Sequence, residues 1–178
     1  MSYITDKISY FFKNLFRAFK SRNYRLFFFG HGVSLIGTWM QQVALSWYVY
    51  RITGSSFLLG FTGFMGYIPS FFLTPVSGVL ADRFNRHRLL VLTQICAMIQ
   101  ASSLAYAVYR FNGEVWRAIL LTFTLGVINS FDAPIRQSFI VDMLDNKEDL
   151  SNAIALNSAI FNSARLIGPA VAGFTVSA

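Results

Sequence analysis

Three charged side chains stand inside long apolar runs of this sequence: Asp132, Arg136 and Arg165. An ionisable group in hydrocarbon costs on the order of 2.5 kcal/mol or more, so it turns toward a bundle interior or a watery cavity and seeks a partner there. Asp132 and Arg136 are four residues apart, which puts them on one helical face within reach of an ion pair. Arg165 lies near the middle of its run, too far from either end to snorkel. Two chemistries remain open for it: a cation on a substrate pathway, or a buried cation satisfied by Asn162, by carbonyls or by Asp132. A fourth charged feature is the turn Gly78-Val79-Leu80-Ala81-Asp82-Arg83-Phe84-Asn85-Arg86-His87-Arg88, set between two apolar runs.

Softer polar candidates are His31, Gln41, Gln42, Gln94, Gln100, Asn129, Asn157 and Asn162. Each is suited either to lining a cavity, as with Gln41, Gln42, Asn129 and Asn162, or to an interhelical hydrogen bond worth about 1 kcal/mol. The histidines are His31 and His87, and no Ser-His-Asp, Cys-His or metal-ligand cluster is visible, so enzymatic chemistry is not expected. No metal or cofactor site is read. The absence of a phosphate-cradling motif argues against direct ATP coupling within these residues. Cys96, inside an apolar run, has no partner for a disulfide.

The elements that must position these groups follow from composition. With 54% hydrophobic and 13% charged residues, the chain has too little polar surface for a soluble domain of 178 residues. A bilayer core of roughly 30 Å needs about 20 residues of helix, and only helices or closed barrels satisfy the backbone there. Period-two alternation is absent, so the fold class is an all-α membrane protein. Five spans are expected at 24–50, 57–80, 89–109, 115–139 and 151–178, with loops at 51–56, 81–88, 110–114 and 140–150. Short loops make neighbouring spans antiparallel.

Cations near span ends are retained on the cytoplasmic side. Lys7, Lys13, Arg17, Lys20, Arg22 and Arg25 precede the first span and Arg83, Arg86 and Arg88 follow the second, against Arg51, Arg110 and Arg117 on the opposite side. The N-terminus is therefore expected in the cytoplasm. Residues 1–22 carry Ile4, Ile8, Phe11, Leu15 and Phe19 at helical spacing, which predicts an amphipathic helix on the inner leaflet. The net charge of +7 sits at membrane borders rather than on one accessible face, so nucleic acid is not an expected partner. Glycine and proline cluster at Gly60, Gly63, Gly66, Pro69 and Pro75, and again at Gly168, Pro169 and Gly173, where helices can approach closely or bend.

The motif Gly78-x-Leu80-Ala81-Asp82-Arg83-x-x-Arg86-x-Arg88 resembles the loop between the second and third helices of the major facilitator superfamily. Phe131-Asp132-Ala133-Pro134-x-Arg136-Gln137 and Asn157-x-x-x-x-Asn162-x-x-Arg165-Leu166-Ile167-Gly168-Pro169 are similar to its exporter branch, which includes siderophore exporters and secretion effectors. The resemblance implies a cytoplasmic gate at Gly78, Asp82, Arg83 and Arg86, coupling charges at Asp132, Arg136 and Arg165, and a hinge near Gly168, Pro169 and Gly173. Asn85 stands where the family usually has Gly; Asn also tolerates a left-handed backbone, so the turn can survive the change.

The implied fold has roughly twelve helices in two halves around a central cavity. The chain is therefore expected to be an incomplete N-terminal bundle, with Ala178 not the natural end. It would need the missing half, or a partner, for transport. The implied activity is proton-coupled export of a small organic molecule across the plasma membrane, bacterial inner membrane in particular. The alternatives are uptake by symport and a non-transporting assembly or regulatory role.

Overall fold

Ser55 and Asn85 start two helices by the same device. Each holds an extended backbone while its side chain accepts a hydrogen bond from the N–H three residues on, Leu58 at 3.3 Å and Arg88 at 3.0 Å. Asn85 has φ −64°, and no described residue other than glycine has positive φ. The turn survives at Asn85 without a left-handed backbone, because the short polar side chain serves there as a helix cap. Positive φ falls at Gly54 (+61°) and Gly113 (+102°), which turn the chain between helices where L side chains would be strained.

The computed structural model describes residues 17–111, 113–144 and 146–177. Five helices dominate: α1 (Arg22–Thr53), α2 (Ser56–Arg83), α3 (Arg86–Arg110), α4 (Val115–Met143) and α5 (Leu150–Ser177), with single 3-10 turns at Arg17–Lys20 and Lys147–Asp149. No strand occurs among the described residues, and the all-α fold class stands. The segment 1–16, most of the expected surface helix, lies outside the described residues. Helices run beyond the apolar runs, because backbone hydrogen bonding continues past the point where polar side chains begin. Among the described residues, α2, α3 and α4 are both long and apolar enough to cross a membrane. Helices α1 and α5 share the length and carry more polar side chains, among them Gln41, Gln42, Asn157, Asn162 and Arg165.

Two compact units divide the chain, residues 1–40 with 140–178, and residues 41–139. In the second, Leu45, Tyr48, Val49, Leu104, Val115, Ala118 and Ile119 form one buried apolar cluster. Close approach of α2 and α4 is made possible by Gly66 and Gly126: a methyl on Gly126 would run into the Gly66 carbonyl. Just beyond, the Ser77 hydroxyl donates to the Ser130 carbonyl at 2.7 Å. Of the expected glycine cluster, Gly66 alone makes such an approach among the described residues, while Gly60 and Gly63 meet open space.

In the other unit, Tyr24 donates to the Ala153 carbonyl at 2.9 Å, and Ser21 to the Met143 carbonyl at 2.8 Å. Arg17 pairs with Asp149 at 2.9 Å, and Phe19 meets Phe28 edge to face at 4.8 Å. Methyl groups on Gly32 or Gly168 would collide with Ile160 or Trp39, so small residues let α1 and α5 touch. All four prolines lie within helices that continue through them, Pro69 and Pro75 in α2, Pro134 in α4 and Pro169 in α5.

Candidate functional site

Two of the three charges expected inside the membrane, Asp132 and Arg136, form an ordered network. Asp132 and Arg136 are one turn apart on α4, and the carboxylate Oδ2 accepts from the guanidinium Nε at 3.0 Å and from a terminal nitrogen at 2.5 Å. From α3, the Thr93 hydroxyl donates to Oδ1 at 2.7 Å and the Gln94 amide at 2.9 Å. Four donors thus occupy the two oxygens, close to the full acceptor capacity of a carboxylate. The pair is nearly dry, with side-chain exposures of 13% for Asp132 and 11% for Arg136. A buried ion pair persists only when its desolvation is offset by such additional hydrogen bonds, and here those bonds also tie α3 to α4.

The expected gate is built differently. Asp82 and Arg83 are not in a loop but in the last turn of α2, and Arg86 and Arg88 are in the first turn of α3, leaving Phe84 and Asn85 between the helices. An α-helix can run through the charges because they lie where side chains reach water. Arg86 comes within 3.6 Å of the Asp82 carboxylate, and its Nε donates to the Ala81 carbonyl at 3.4 Å. Asp82 stays 75% exposed and Arg86 31%. A methyl on Gly78 would meet nothing among the described residues, so no close approach is seen there.

Around Arg165 the arrangement is aromatic. Its guanidinium lies 5.6 Å from the centre of the Trp39 ring, and Trp39 meets Phe161 edge to face at 5.8 Å. No carboxylate among the described residues is within ion-pair distance of it. Gly168, one turn further on, packs its backbone against α1, where a methyl would lie 3.0 Å from the Ile36 carbonyl. Gly173 meets open space among the described residues, and Pro169 is half-buried.

Among the cavity candidates, Gln41 donates to Gln100 at 3.3 Å, and Gln100 donates to the Leu121 carbonyl at 2.9 Å, a half-buried link joining α1, α3 and α4. Gln42 reaches the Tyr67 hydroxyl at 3.4 Å, beside an open apolar groove of about 550 Å³ along α2 lined by Phe64, Tyr67, Ile68, Phe71 and Phe72. Asn129 is exposed, and Asn162 donates to the Ser158 carbonyl of its own helix at 2.8 Å. Thr93, Ser77, Ser130 and Gly126 carry polar or close contacts that sequence reasoning does not single out. A hydroxyl or a lone glycine in an apolar run is too common a feature to be distinguished without its partner helix.

The sequence matches the transmembrane secretion effector family over residues 14–178. It is 29% identical over 150 residues to the staphyloferrin A transporter of Staphylococcus aureus, covering 84% of this chain and 38% of the relative. It is 25% identical over 162 residues to macrolide efflux protein A of Streptococcus pyogenes, covering 89% and 40%. An uncharacterized MFS-type transporter of Bacillus subtilis, YfiS, is 25% identical over 147 residues, covering 82% and 34%. The chain thus spans about two fifths of the length of curated relatives it matches. No solved structure matches it. These relatives are named as transporters rather than enzymes, and with the apolar helices they make this a multi-pass membrane protein. The chain belongs to the transmembrane secretion effector family of the major facilitator superfamily.

Proposed function

We infer that the chain is the N-terminal part of a secondary active transporter that exports a small organic molecule by alternating access. In this reading all five helices span a plasma membrane, the bacterial inner membrane in particular, with the N-terminus in the cytoplasm. Proton entry drives the cycle, and the transport path is completed by a second half or a partner. The observation that carries the reading is the junction of α2 and α3. Its Asp82–Arg86 pair is long, exposed and placed at helix ends, so it can exchange partners at little cost as a gate closes and opens. Relatives named for transport and efflux support the same direction.

The test is efflux by the full-length protein carrying Asp82→Asn. Transport is expected to fall while the amount in the membrane stays at the wild-type level; undiminished transport removes Asp82 from the gate. Efflux that persists when a protonophore collapses the proton gradient excludes proton drive. Counterflow showing net inward movement would place the protein among uptake carriers instead.

A further inference from the structure

We propose that Arg165 is the anion-binding group of the substrate pathway, and that this carrier takes organic carboxylates with an aromatic or apolar body. The proposal rests on the export reading in one respect, that α5 crosses the membrane. About 20 Å of helix then separates Arg165 from either end, beyond the reach of an arginine side chain. A guanidinium at that depth needs water or an anion. The other intramembrane charges of the described residues, Asp132 and Arg136, already satisfy each other. Arg165 has no carboxylate within ion-pair distance among the described residues, and it remains exposed.

What it does have is a platform. The Trp39 ring attracts the guanidinium at 5.6 Å, inside the roughly 6 Å limit of a cation–π contact. That contact takes up no guanidinium N–H, and a guanidinium can meet a carboxylate in two parallel hydrogen bonds. Phe161, edge to face with Trp39 and itself exposed, adds a second aromatic surface beside Trp39. Asn162, three residues before Arg165 and on the same face, spends one amide hydrogen on the Ser158 carbonyl and retains a second. A cation, a donor and two aromatic rings on one side of the unit fit a carboxylate attached to a ring or alkyl body. They disfavour a cationic solute.

Carboxyfluorescein is a suitable probe, with binding to the full-length protein in detergent followed by fluorescence anisotropy. The wild type is expected to bind it saturably, with benzoate competing and benzyl alcohol not. Arg165→Gln should weaken binding by roughly tenfold or more, and Arg165→Lys by less, since a point charge keeps the attraction but loses the fork. Trp39→Leu should weaken it several-fold and serves if Arg165→Gln does not fold. The proposal is overturned if the wild type does not bind the dye saturably, if benzyl alcohol competes as well as benzoate, or if Arg165→Gln binds unchanged. It is overturned too if Arg165→Gln lowers thermal stability alone, because Arg165 would then be a structural partner. Arg165-dependent binding by a protein that moves no dye across proteoliposome membranes supports the anion site while counting against export.

Discussion

Two aspartate–arginine pairs with the same four-residue spacing have opposite physical characters. Asp132 and Arg136 are almost dry, and donors from two helices occupy both carboxylate oxygens. Asp82 and Arg86 lie across a helix junction, 3.6 Å apart, with the carboxylate mostly in water. In a dry site, losing a partner leaves a charge stranded, whereas in a wet one water replaces the partner. Spacing therefore identifies a pair, and surroundings decide whether it is a clamp or a contact that can be exchanged.

The comparison breaks most readily at the buried pair. Arg136→Ala should destabilise the protein by about 3–5 kcal/mol, seen as a lower unfolding temperature in detergent and a smaller amount in the membrane. Replacing both partners, Asp132→Leu with Arg136→Met, should recover much of that loss; a double variant as damaged as the single one would argue against a stranded charge as the cause. Thr93→Val removes one of four donors and should cost about 1–2 kcal/mol by the same measurement. Asn85→Ala deletes the cap of α3 and should cost about 1 kcal/mol, which hydrogen exchange would locate in the first turn. Smallest is the stability effect of Asp82→Asn, under about 1 kcal/mol and shrinking with added salt, even though transport is expected to suffer. A large, salt-independent loss there would erase the distinction between the two pairs.

The buried pair was legible because both members sit on one helix, where a spacing of four residues is enough to join them. Thr93 was not, and Gln94 was legible only as a candidate for an interhelical bond, since the contact of either with Asp132 depends on how α3 and α4 are set against each other. Periodicity within either helix leaves that register open. The glycines show the same limit: Gly60, Gly63 and Gly66 share a pattern, yet Gly66 is the one opposite Gly126. The density of charge at 81–88 predicts a loop, but charged side chains mark the end of an apolar run and not the end of a helix. Hydrogen bonding in fact carries α2 through Arg83, and Asn85 starts α3 as its cap. The apolar runs made five helices readable, and three of these, α2, α3 and α4, are long and apolar enough to cross a membrane.

The meeting of Gly66 and Gly126 has a mechanical consequence. Side chains that interdigitate can slip by changing rotamer, but two backbones in direct apposition have no torsion through which to yield. Sliding α2 along α4 would drag each chain across the other's peptide groups, and the hydroxyl of Ser77 on the Ser130 carbonyl pins the same seam further along. The two helices are keyed together at this seam, which resists sliding of α2 along α4.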